Sequence, residues 1–177
     1  MAKKRPQRQR NILKDAQKKA KDFYKILRKE NKGMKKRFAK EYLKKYGTGK
    51  SQKTFTPGNL ISFKYDAKHK ENKFDKNPLV VSLGDSKEHG RAYFYGLNIH
   101  WLPEKQRILV ASLIVEMLDM NNGKLEYKDI KPVMKIFKNS PVLRMYIKGN
   151  VSNRIIQMEK DVYLRAASID YATWHNP

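Results

Sequence analysis

The four histidines, His69, His89, His100 and His175, are the side chains best suited to hold a metal or move a proton near neutral pH. No two of them stand at the i,i+3 or i,i+4 spacing of a zinc-binding helix, so no metal site is expected. His100, between Ile99 and Trp101 at a strand-to-helix turn, is expected to hydrogen-bond backbone. Asp66, Glu71 and Lys73 imitate the carboxylate and Glu-x-Lys set of metal-dependent nucleases, but that chemistry needs carboxylates on neighbouring strands and "DAKHKENK" is one hydrophilic loop. "LDMNNGKLEYKD" imitates a calcium loop, with Leu118 and Met120 where oxygen ligands are required. There is no cysteine, no phosphate-binding glycine loop and no Gly-x-Ser-x-Gly elbow. No catalytic residue, cofactor or small-molecule substrate is expected.

The remaining chemistry is charge. The chain has 177 residues, with 40 Lys/Arg against 17 Asp/Glu, a net of +23. Residues 1–53 hold 21 basic and 4 acidic residues (21 − 4 = +17), and residues 54–177 hold 19 and 13 (19 − 13 = +6). Excess concentrated in this way points to a polyanion, because each neutralised phosphate releases a counterion and yields affinity without sequence readout. The expected partner is DNA, bound non-specifically through its phosphates by Lys3, Lys4, Arg5, Arg8, Arg10, Lys14, Lys18, Lys19, Lys21, Lys25, Arg28, Lys35, Lys36 and Arg37. The bland alternative is a solvated helix face. A membrane surface is disfavoured by the narrow apolar stripe and by the absence of Trp in this region. No apolar run is long enough to span a membrane and no cleavable leader is expected.

These cations need elements to carry them. "MAKKRPQRQR" is polar, basic and interrupted by Pro6, which predicts an arm that is disordered unless a partner neutralises it. From Asn11, the residues Ile12, Ala16, Ala20, Phe23 and Leu27 recur at helical spacing, and Gly33 is the expected break. Met34, Phe38 and Tyr42 then mark a second helix. "SQKTFTPGN" is the boundary, giving a basic helical extension over 1–53 and a core domain over 54–177. "NLISFKY", "PLVVSL" and "RAYFYGLN" read as a three-strand meander. "LPEKQRILVASLIVEMLDMNNG" reads as a core helix with Pro103 at its start and Gly123 past its end. "EYKDIKPVMKIF" and "NSPVLRMYIKG" read as short helices or turns broken by Pro132 and Pro141. "NRIIQMEKDVYLRAASIDY" adds further elements of unassigned order. Tyr93, Phe94 and Tyr95 must point to both faces of their strand, so one of them is a candidate base-stacking residue beside Lys87 and Arg91.

Two strings carry a resemblance. In "GNLISFKYDAKHKENKFDKNPLVVSLG" they are Gly58, Phe63, Tyr65, Asp66, Asp75, Pro78, Leu79 and Val80; in "AYFYGLNIHWLPEKQRILVASLI" they are Gly96, Asn98, His100, Leu102, Pro103 and Arg107, with the aromatic Trp101. Over residues 57–118 the chain resembles a module of tailed-phage structural and assembly proteins grouped with the DNA end protector proteins of T-even-like phages. The resemblance implies an α+β fold with a small SH3-like β-barrel core, packed helices, and a non-enzymatic virion protein meeting DNA and other virion proteins of head, neck or tail. It places the chain in the virion, and in host cytoplasm during assembly. Gly58, Tyr65, Asp66, Asp75, Pro78, Gly96, Asn98, His100, Pro103 and Arg107 are then structural, with Asn98 and His100 latching the strand-to-helix turn. The basic third of the chain falls outside the resemblance. Two alternatives stay open: a small-barrel ribonuclease of the PemK toxin type, with Arg91 and Ser82 as stand-ins for its acting residues, and a host nucleoid or ribosome-associated protein.

Overall fold

The computed structural model describes residues 4–29, 32–46, 55–66, 75, 77–86, 92–137 and 140–170, without the side chains of 4–10, 32, 42–46 and 152–154. Among the described residues five α-helices, α1 (Lys4–Leu27), α2 (Lys32–Tyr46), α3 (Glu104–Met120), α4 (Tyr127–Ile136) and α5 (Tyr163–Ser168), accompany five strands. The strands are β1 (Leu60–Tyr65), β2 (Leu79–Asp85), β3 (Tyr93–Asn98), β4 (Leu143–Ile147) and β5 (Val151–Gln157).

All strand pairs are antiparallel, in the order β4-β3-β2-β1-β5. The predicted β1-β2-β3 meander forms in register Leu60↔Val81 and Val81↔Leu97. Both faces of β1 are buried: Leu60 enters the core beneath the helices, while Ile61 and Phe63 enter a second cluster with Phe55, Val80, Phe94, Tyr146 and Ile155. Phe94 lies between Phe55, stacked at 3.8 Å, and Tyr146, stacked at 5.0 Å, and Phe63 meets Tyr146 edge-on at 5.3 Å.

The expected SH3-like barrel does not close. β4 and β5 are opposite edges of the sheet, and among the described residues no ladder joins them. The chain crosses from one edge to the other through the 3-10 turn Lys148–Asn150, three residues long, so the sheet must curl strongly. Single bonds tie the curl: the Ile147 amide donates to the Tyr65 hydroxyl (3.3 Å) and the Asp66 amide donates to the Asn150 carbonyl (3.0 Å). The aromatic cluster gathers side chains of all five strands, among them Phe63, Val80, Phe94, Tyr146 and Ile155.

Three other expectations change. The arm is helical from Lys4, because Pro6 falls in the first turn, where its missing N–H has no intrahelical partner to lose. The break between α1 and α2 comes at Arg28–Lys29, and Gly33 lies inside α2. Pro132 sits within α4 without ending it, and "NSPVLRMYIKG" supplies β4 rather than a helix. Leu143 and Tyr146 gain burial on opposite faces of the sheet, which outweighs local turn signals.

α3 packs with α1 and α5, and its Ile108, Ala111 and Ile114 are buried in the main core. α1 lies on it through Ala16 and Ala20, whose small side chains permit close approach, and through Leu27. The expected apolar stripe of α1 is therefore part of the main core.

Candidate nucleic-acid interface

Successive residues of an α-helix are rotated by about 100°, so positions separated alternately by four and three stay on one face. Lys14, Lys18, Lys21, Lys25 and Arg28 have this spacing, lie opposite Ala16, Ala20 and Leu27, and are all exposed. They form a row about 21 Å long at 1.5 Å per residue. Like charges at this spacing each oppose an isolated helix by about 0.2–0.5 kcal/mol. Four such neighbour pairs would cost about 1–2 kcal/mol in all, which burial of Leu27 alone offsets. Asp22 relieves one position by accepting from Lys25 at 2.8 Å, and that contact holds its carboxyl below the usual range.

The other cations divide. Lys19 turns toward α3, with Nζ 2.6 Å from Glu116 Oε1 and 3.6 Å from Asp119 Oδ2. Lys35 is engaged at the opposite end of α3, 2.6 Å from Glu104 Oε1 and 3.5 Å from the Ser168 carbonyl. These two fasten α1 and α2 to the core, so a phosphate role for either competes with an internal acid. Lys36 is exposed, and so is Arg37, whose Nε donates to Glu41 at 2.8 Å. Lys4, Arg5, Arg8 and Arg10 lie in α1 with their side chains outside the described set, and Lys3 lies outside the described residues. Lys29 and Lys40, not singled out in the sequence, are also exposed, each four residues beyond a chosen lysine.

Three of the motif residues, Asp75, Asn98 and His100, are brought together. Asp75 Oδ2 accepts from Asn98 Nδ2 (3.2 Å) and lies 3.0 Å from His100 Nδ1, while Asp75 Oδ1 accepts from the Asn77 amide (3.0 Å). Asn98 Oδ1 caps the 3-10 turn Ile99–Trp101 by accepting from the His100 amide (3.2 Å). The His100 ring thus meets a carboxylate, not the backbone expected for it. Burial raises the Asp75 pKa, but the bond and charge of His100, with Asn98 and Asn77, outweigh it and hold the carboxyl below its ordinary range.

Arg107 is buried, donating from Nε to the Ala167 carbonyl (2.8 Å) and from a terminal nitrogen to the Leu102 carbonyl (2.9 Å). Burial lowers its pKa, opposed by Glu104 and Asp170. Pro103 precedes α3 and its carbonyl accepts from the Arg107 amide; Pro78 is buried before β2. Gly58 has φ +88°, and a Cβ there would lie 2.7 Å from Leu125 Cδ1. A Cβ on Gly96 would fall 2.2 Å from Val80 Cγ1. Tyr65 and Asp66 tie the sheet's curl, as described above.

Phe94 is buried in the aromatic cluster and Tyr95 packs against the main core on the opposite face, so the stacking role considered for this strand has no support at Phe94. Glu71, Lys73, Lys87, Arg91, His69, His89 and His175 lie outside the described residues. Among the described residues no group of three or more His, Asp or Glu is placed to hold a metal ion, and no helix is long and apolar enough to cross a membrane.

Taken together, the molecule is a cationic α+β protein whose curled sheet and central helix carry a row of lysines on one outer helix. The chain belongs to the phage T4 terminal DNA protecting protein family, whose model matches residues 1–166. The match includes the basic third, which the motif resemblance over 57–118 did not reach. No curated protein and no solved structure matches the chain. The family is one of non-enzymatic phage proteins that protect DNA ends, which removes the PemK-type ribonuclease alternative and the host-protein alternative. The open sheet independently departs from the barrel that such a ribonuclease would need.

Proposed function

We propose that this protein occupies the ends of linear phage DNA in the virion, holding the duplex backbone by the α1 row and shielding the terminus by bulk. The row of Lys14, Lys18, Lys21, Lys25 and Arg28, exposed opposite a buried stripe, carries this reading. Duplex DNA presents one negative charge per about 1.7 Å of axis, so a cationic row about 21 Å long has phosphates available along its whole length. Lys36 and Arg37, exposed on α2, and the cations among residues 3–10 add to the positive charge that attracts the backbone, while the 54–177 core holds the helices in position. Contact with other virion proteins in head, neck or tail would use the remaining surface, after assembly in the host cytoplasm.

The reading requires no chemistry from the protein. A terminus covered by a bound protein is inaccessible to an exonuclease. The test is digestion of a linear duplex by a processive exonuclease with and without the protein. The full chain is expected to slow digestion. A variant with all five row cations changed to Gln, matched in melting temperature, is expected to lose most of that protection at physiological salt. Equal protection by the variant rejects the α1 row. An acidic protein surface is the other occupant the row would suit, and it predicts no protection of naked DNA by either form.

A further inference from the structure

An end-protecting protein must distinguish a terminus from the interior of a duplex, and a row of cations cannot, because phosphates run the whole length. What a terminus alone offers is the open face of its last base pair. One surface of the fold has the chemistry for that face. Trp101 closes the 3-10 turn after β3, with buried Ile99 two residues before it and buried Leu102 directly after, yet the indole residue is 37% exposed. The Arg144 guanidinium on β4 lies over its ring, 5.3 Å from the centroid. An aromatic ring braced by a guanidinium is what stacks on nucleobases independently of sequence.

Its position relative to the row is suitable. Lys19 meets Glu116 and Asp119 near the end of α3, whereas Tyr24 feels the charges of Glu104 and Arg107 near its start. α1 therefore runs antiparallel to α3, and its later cations approach the start of α3, which Trp101 precedes by three residues. Lys35, bonded to Glu104, brings α2 to the same end. We infer that Trp101, steadied by Arg144, is the end-recognising surface, its indole stacking on the terminal base pair of a duplex whose backbone lies along α1. This rests on the DNA-end reading above and adds what makes an end different.

Binding of a short blunt duplex is compared with binding of the same duplex closed at both ends by hairpin loops. The wild-type chain binds the open duplex more tightly. Trp101→Ala weakens open-duplex binding about tenfold and leaves the closed one unchanged, within the range of base–aromatic stacking losses; Trp101→Phe retains most of the preference. Should Trp101→Ala fail to fold, a Trp174→Phe chain leaves Trp101 as the single indole, and its emission is quenched by open duplex and not by closed. A folded Trp101→Ala chain that keeps the preference, a wild type that binds both duplexes equally, or equal quenching by both overturns the inference and leaves the row standing. Failure to bind either duplex rejects the DNA reading, and this with it.

Discussion

Asp75 comes from ahead of β2 to meet Asn98 and His100 at the end of β3, and each makes the others tolerable in the interior, where an unpaired polar group is costly. Asn98→Ala removes a cap and a donor to Asp75, and is expected to lower stability by about 1–2 kcal/mol in urea denaturation; an unchanged midpoint would contradict it. Asp75 also makes folding pH-dependent. Its folded pKa is depressed, so its contribution is complete above the unfolded value of about 3.9 and is lost as pH falls through the lower folded value. Denaturation between neutral pH and strong acid should show that component in the wild type and its absence in Asp75→Asn, with parallel acid curves counting against it. At Gly96, an added methyl meets Val80, itself fully buried, so Gly96→Ala is expected to cost about 1–3 kcal/mol from overpacking. The sequence marked all these positions through the motif. It did not reveal that the His100 ring would find Asp75, since that pairing depends on how a loop returns to the end of β3.

At the scale of elements, α1 is seated by apolar contact and oriented by charge. Leu27→Ala is expected to lower stability by about 2–4 kcal/mol, whereas Lys19→Met, breaking a partly exposed ion pair, should cost no more than about 1 kcal/mol. Thermal melts of the two variants compare these directly, and a larger loss from Lys19→Met would mean that charge holds the helix. The stripe of α1, the β1-β2-β3 meander and α3 were legible because their periodicity is long or their apolar runs are bounded by turn residues. β4 was not, since "VLRMYI" is short, follows Pro141, and acquires its conformation from pairing with β3. Barrel closure was equally illegible. Whether β4 and β5 meet depends on how the turn at Lys148–Asn150 carries the chain between two edges, which no local pattern encodes.

At the scale of the molecule, the charge asymmetry read from the sequence becomes a surface with direction. Of the fourteen cations expected to meet phosphate, two fasten helices to α3, and five align on one face of α1. Removing residues 1–50 would be a poor test of their role, because the buried Ala16, Ala20 and Leu27 would be lost with them. Side-chain replacement keeps the fold and changes only the field. The decisive experiment is the salt dependence of duplex affinity for the wild-type chain and for the chain with Lys14, Lys18, Lys21, Lys25 and Arg28 changed to Gln. If the five cations neutralise five phosphates, the slope of log K against log salt falls by about 4.5 in the variant. A folded variant with the wild-type slope would show that DNA lies elsewhere.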